Sequence, residues 1–188
     1  KKCLIKYMNI TNTIMTNIET DFYNANDAFE YFYKYISKYG TDFRDTKTLF
    51  NIGFNIHRPM LNAIVTEERK WSKDYAEAEW QWYLSGDNHI KTLGDIYGKV
   101  PEIWKRMADD RGYVNSNYGW QWQRQKQLDK VIDLLKRDKY TRQAAISIYD
   151  AKEFDEYTND TPCTYAVQFT IVDNRLHMSV VMRSNDLW

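Results

Sequence analysis

Cysteine is nearly missing from this chain: Cys3 and Cys163 are the only two among 188 residues, and they stand far apart in unlike surroundings. Such a pair argues against a disulfide framework or a cysteine-based zinc site and favours a reducing, cytoplasmic compartment. Histidine is scarce too. His57, His89 and His177 lack the spacing of metal ligands, so no metal is expected. No charge of one sign prevails. Lys+Arg and Asp+Glu both number 26, which leaves no bulk field to concentrate nucleic acid or an anionic membrane, and any anion site must be local. Glycine and proline form no glycine-rich phosphate loop, no dinucleotide fingerprint and no linker, and no Ser-His-Asp order is present. Long apolar runs are also wanting. The opening K-K-C-L-I-K-Y-M-N-I is broken at Lys6 before it reaches the length of a signal-peptide core, so neither an export signal nor a membrane span is expected.

What the chain has in quantity is aromatic rings, with 15 Tyr, 8 Phe and 7 Trp. These suit walls with polar edges and a small flat ligand. At this length, one sizeable core and a single domain over 1–188 are expected. Phe29, Phe32, Ile36 and Tyr39 recur at helical intervals, and Gly40 follows as a stop. Residues 48–56 are β-prone around an internal glycine, which predicts a strand with a bulge. Helical patterning returns over 70–85, and Pro101 opens a short helix near 101–109. Leu128, Val131, Ile132 and Leu135 share one face of a helix over 121–137, before a strand at 144–149. Strands at 163–172 and 175–184 flank Asp173-Asn174, a two-residue hairpin turn whose residues tolerate positive φ. Helices mixed with a largely antiparallel sheet make the class α+β.

Three constellations could carry chemistry. Symmetric counting from the turn sets Thr164 opposite Arg183 and brings Cys163 within roughly 5 Å of the Arg183-Ser184 backbone. A guanidinium there raises the thiolate fraction of a nucleophile, and Arg183 with Ser184 could hold a phosphate; equally, Cys163 could be a small core residue. Glu79 shares a helix face with Tyr75, Trp82 and Tyr83, where desolvation raises a carboxyl pKa toward general acid or base work, unless the residue only borders the core. In V-N-S-N-Y-G-W-Q-W, Tyr118 could project its hydroxyl into a cleft or anchor an aromatic cluster. Arg142, at a helix-to-strand junction, reads either as a phosphate ligand or as a solvated residue.

Taken in order, E-W-Q-W-Y-L-S-G-D (79–87), I-W (103–104), N-Y-G-W-Q-W (117–122), T-R (141–142), P-C-T (162–164) and R-S-N-D (183–186) resemble the thymidylate synthase family, including the phage deoxycytidylate hydroxymethylases. The similarity runs from about residue 44 to the end. It implies a thymidylate-synthase-like sheet with packed helices and covalent catalysis in which Cys163 adds to C6 of a pyrimidine deoxynucleoside monophosphate. It implies that Glu79 orders water and relays protons at the base and that Tyr118 belongs to the network removing the C5 proton. It implies too that Arg183 and Ser184 grip the 5′-phosphate and that Arg142 reaches the phosphate of the partner subunit in a back-to-back homodimer, and it sets Arg44 at the position of the mobile phosphate arginine. Asp186 falls on the base-side aspartate and Trp104 on the folate-side tryptophan, which implies 5,10-methylenetetrahydrofolate as cofactor.

Thr164, Gln143, Met107 and Met182 depart from the synthase pattern, and the P-C-T, N-S-N-Y-G-W and M-R-S-N-D versions are more similar to the hydroxymethylases. The expected product is therefore hydroxymethylated dCMP or dUMP, with methylation of dUMP as the alternative. In the family, further strands and helices, with the residue that reads the base edge, follow the position of Trp188. A non-catalytic nucleotide-binding or dimerisation module is the competing class.

Overall fold

The computed structural model describes residues 18–50, 52–153, 157 and 159–187; Cys3 and the opening basic-apolar run lie outside them. The chain divides into two units, one reaching to Trp71 with Leu187–Trp188 and the other running from Ser72 to Asp186.

In the first unit, helix α1 (Ala25–Tyr39) starts where the Asn24 side chain accepts the Asp27 N–H at 2.9 Å. Its buried stripe is Ala28, Phe29, Phe32 and Tyr35, whereas Tyr39, expected to face inward, is 48% exposed at the helix's last position. Strand β1 (Asp21–Phe22) pairs in parallel with β4 (Asn55–Ile56), and β2 (Thr41–Phe43) forms a hairpin with β3 (Thr46–Thr48). The strand expected over 48–56 is thus reduced to its two ends. Between them Phe54 packs its ring on Phe22 and Phe32 at 5.8 and 4.8 Å, so ring contacts, not a ladder, hold that segment.

In the second unit, α2 (Lys73–Ser85) begins at Ser72, whose hydroxyl accepts the Tyr75 N–H, and stops at Gly86 with φ of 67°. A short helix that the sequence pattern did not reveal, α3 (Ile90–Tyr97), drives Leu93 into full burial beside Ala78, Trp82 and Val114. Pro101 caps α4 (Glu102–Met107) from outside and is not its first residue. The helix expected over 121–137 is interrupted: α5 (Tyr118–Gln123) and α6 (Gln127–Arg137) are separated by a tight turn in which Gln125 and Lys126 have φ of 57° and 56°. Arg124 explains the break. Its guanidinium leaves the helix line to pair with Glu153 and to donate to the Ile148 carbonyl at 2.5 Å. On α6, Val131 is buried and Leu128 and Leu135 pack beside it, but Ile132 is 40% exposed.

Three antiparallel strands, β5 (Ala145–Ser147), β6 (Thr164–Val172) and β7 (Arg175–Met182), lie in the order β5-β6-β7. Asp173 and Asn174 have φ of 49° and 57°, as the hairpin turn requires, and Val172 pairs with Arg175. Symmetric counting fails at the far end. Ala166 pairs with Val181 but Thr164 pairs with Met182, so Tyr165 is an extra residue, a β-bulge. Ala144, Ile146, Ile148, Val131 and Val167 form the core beneath the sheet, while every residue of β7 is exposed.

Candidate active site

The bulge corrects the expected register in a way that matters for chemistry. With Thr164 set opposite Met182, the next pair outward is Cys163 with Arg183, and the Arg183 N–H donates to the Cys163 carbonyl at 2.8 Å. From the same residue, Nη2 lies 2.9 Å from the Thr161 carbonyl and 3.6 Å from Cys163 Sγ, and Nε donates to the Pro162 carbonyl at 3.2 Å. Tyr149 adds its hydroxyl to the Pro162 carbonyl at 2.6 Å. The Tyr118 oxygen accepts the N–H groups of Cys163 and Thr164 at 3.0 and 3.3 Å. Residues 161–164 are therefore held through main-chain atoms, and Cys163 remains a free, part-exposed thiol. Its reading as a plain core residue does not fit that placement. Burial opposes the charge on Arg183, yet Cys163, Tyr149 and Tyr165 together hold its pKa above the ordinary value.

The second cluster sits along α2. Glu79 accepts the Tyr75 hydroxyl at 2.9 Å, and Tyr75 in turn accepts the Trp104 Nε1–H at 2.7 Å. Burial pushes the Glu79 carboxyl up, and the Tyr75 hydrogen bond offsets only part of that rise. Tyr75 and Tyr83 are raised further, first by burial and then by the Glu79 charge. Glu77, two residues away, is exposed and paired with Lys73. Trp104 is half-buried, edge-on to the fully buried Trp82 at 5.0 Å.

Tyr83 and Tyr118 join the two clusters, with ring centroids 6.1 Å apart and near-perpendicular planes. The contact depends on Gly119, because a Cβ at that position would overlap the Tyr83 carbonyl. Nearby, the buried Asp160 accepts both the N–H and the hydroxyl of Ser116 at 2.7 Å, and its main-chain carbonyl accepts Asn115 Nδ2 at 3.0 Å. An open cavity of about 560 Å³ is lined by Asn88, Met107, Arg111, Tyr113, Trp120 and Asp160, among others, but not by Cys163 or Glu79.

Of the residues expected from the sequence, Cys163, Arg183 and Tyr118 meet directly, and Glu79 and Trp104 meet through Tyr75. Ser184 is half-buried beside Arg183, whereas Arg142 and Asp186 are exposed and make no hydrogen bond to the 161–164 segment. Arg44 stands in the first unit, on the exposed β2–β3 turn with φ of 56°. Tyr149, Gly119 and Asp160 were not singled out from sequence. The acidic residue three positions before Cys163 and the glycine between two rings in Y-G-W were the available signals. No group of three or more His, Cys, Asp or Glu residues suited to a metal occurs among the described residues, and no helix among them is long and apolar enough to cross a membrane.

Among curated proteins, the chain is 35% identical over 122 residues to the deoxycytidylate 5-hydroxymethyltransferase of Enterobacteria phage T4, covering 61% of this chain and 48% of that protein. It is 34% identical over 118 residues to the thymidylate synthase of Buchnera aphidicola subsp. Baizongia pistaciae (strain Bp), covering 58% and 43%. The thymidylate synthase from T4 phage has a similar fold, with TM-score 0.51 and 24% identity over 66% of this chain and 48% of that one. The thermostable thymidylate synthase A from Bacillus subtilis gives TM-score 0.50 and 26% identity, over 63% and 44%. The chain spans about half the length of the curated relatives it matches. The family model described as thymidylate synthase matches residues 28–188, across both units, and the chain belongs to the thymidylate synthase family.

Proposed function

We propose that this protein transfers a one-carbon unit to C5 of a pyrimidine deoxynucleoside monophosphate, dCMP or dUMP, with hydroxymethylation as the outcome. The observation that carries the reading is the meeting of Cys163 Sγ with the Arg183 guanidinium at 3.6 Å, on a strand end fixed by Tyr118. Cys163 attacks C6 of the base, and the electron pair displaced to C5 makes that carbon the nucleophile. Glu79, kept protonated to higher pH by burial, exchanges protons with the base through water, and Tyr118 serves the network that removes the C5 proton. Arg183 and Ser184 hold the 5′-phosphate. Arg44 and Asp186 are read as further substrate ligands. Arg142, exposed on the segment between α6 and β5, serves the phosphate of a second copy in a homodimer, for which the exposed apolar residues of β7 offer a surface.

The aromatic cluster fits the flat rings of a folate: Trp104 keeps part of its ring exposed while its N–H is committed to Tyr75. 5,10-methylenetetrahydrofolate is the source of the one-carbon unit. Methyl transfer to dUMP is the second reading, favoured by the presence of Trp104 at the position that would keep water out. Incubation of the chain with methylenetetrahydrofolate and C5-tritiated dCMP or dUMP is expected to release tritium. The product mass separates hydroxymethyl from methyl. Nucleotide binding by calorimetry with no tritium release from either base would overturn the enzyme reading and leave a binding module.

A further inference from the structure

Asp160 has no part in the chemistry proposed above, yet it is 2% exposed, and a buried carboxylate persists only where donors compensate for lost water. Its Oδ2 takes two of them, the Ser116 N–H and Oγ, both at 2.7 Å, and its carbonyl takes a third from Asn115 Nδ2 at 3.0 Å. All three donors come from the two residues that precede Asn117-Tyr118. Asp160 itself stands three residues before the thiol. At the other end of both segments the Tyr118 oxygen closes back on the N–H groups of Cys163 and Thr164. The segments are thus tied at two rungs, one buried, one at the reacting end. Accepting two N–H groups leaves the Tyr118 hydroxyl proton as the part of that group able to serve a bound base.

We propose that Asp160 is a positioning residue that sets the spacing between the Tyr118 hydroxyl and the Cys163 thiol by clamping the 115–116 turn to the segment before the cysteine. The clamp is a property of this chain's geometry; its consequence for turnover rests on the function proposed above. Misplacement of a reacting group by about 1 Å costs on the order of 100-fold in rate, and the ground-state grip on the nucleotide phosphate is made elsewhere, by Arg183 and Ser184.

Amide hydrogen exchange on the full chain, followed by NMR, tests the clamp without requiring activity. Asp160→Ala is expected to speed exchange at the Cys163 and Thr164 amides about 10-fold or more, as is Tyr118→Phe, while the Ile146 and Val167 amides stay protected. Asp160→Asn, which keeps an oxygen in place for both Ser116 donors, is expected to restore protection, and Ser116→Ala to give an intermediate loss. Unchanged protection in Asp160→Ala, or a loss spread equally over β5 and β6, overturns the proposal. In C5 tritium release, Asp160→Ala is expected to lower kcat about 100-fold with KM within about 2-fold, and Asp160→Asn to recover most of it. A KM rise with unchanged kcat overturns the positioning role. Local deprotection in Asp160→Ala with no tritium release from the unaltered chain sinks the functional reading and leaves the clamp standing.

Discussion

Glu79 is bonded to another side chain, Tyr75, and through it to Trp104, whereas around Cys163 the anchoring is made to main-chain N–H and carbonyl groups. Burial around Glu79 shifts its carboxyl upward, and Cys163 is part-exposed, so its thiol can be reached. A proton carrier works best near the ambient pH, and burial is the means of moving a carboxyl there. A nucleophile needs access and a fixed direction of attack, which main-chain hydrogen bonds give without covering the sulfur. The contrast suggests that side-chain changes will be felt chemically in the first region and as loss of order in the second, with Gly119 as the joint between them.

The largest effect is expected at Cys163, the proposed nucleophile. Cys163→Ala should lower tritium release from C5 by on the order of 10⁴-fold or more, while circular dichroism and nucleotide binding stay near those of the unaltered chain. Survival of release above a tenth of the starting rate would remove the covalent step. The joint comes next: Gly119→Ala forces a methyl group into the Tyr83 carbonyl and should cost about 3 kcal/mol in denaturant unfolding. A cost below about 0.5 kcal/mol would mean that α5 and α2 do not need their close approach.

Glu79→Gln should lower tritium release about 100-fold, the usual worth of a positioned acid or base. Its stability effect has a definite sign. Burial raises the Glu79 pKa above its ordinary 4.5, so the folded chain holds that proton more tightly than the unfolded chain. The unaltered protein therefore loses stability as pH rises from the ordinary carboxylate range through the folded pKa, and Glu79→Gln should flatten that slope. Urea unfolding at a series of pH values measures it; parallel profiles would deny Glu79 its desolvated state. The smallest effect belongs to Tyr149→Phe, which removes the hydroxyl from the Pro162 carbonyl and should cost about 1 kcal/mol, or a Tm roughly 2–4 °C lower. A larger drop in activity than in stability would show that the tie serves the thiol more than the fold.

Sequence reading recovered what short-range chemistry dictates. Asp173-Asn174 announces its hairpin because the turn needs residues that accept positive φ, and Val131 announces α6 through its helical stripe. The helix α3 escaped although Ile90, Leu93 and Tyr97 stand at helical intervals, because the run is only eight residues long and carries Gly94 inside. Gln125 and Lys126 gave no warning of the α5–α6 break, since Arg124 causes it by reaching residues 148 and 153, more than twenty positions away. The site divides the same way. Glu79 and Tyr75 are helical neighbours and could be paired by counting, but Asp160 and Ser116 are 44 residues apart, and only the fold brings them together.

Tyr165, the single extra residue in β6, gives the hairpin an odd count between the thiol and the guanidinium. Side chains alternate faces along a strand, so inserting one residue between Ala166 and Val172 with the bulge kept would set Thr164 opposite Arg183 and take the sulfur out of that pairing, whereas deleting Tyr165 would remove the bulge and leave Cys163 opposite Arg183. The stretch from Cys163 to Arg183 should accordingly accept many substitutions on its exposed strand and hardly any change of length. It behaves as a molecular ruler, and a scan of one-residue deletions would read its graduations.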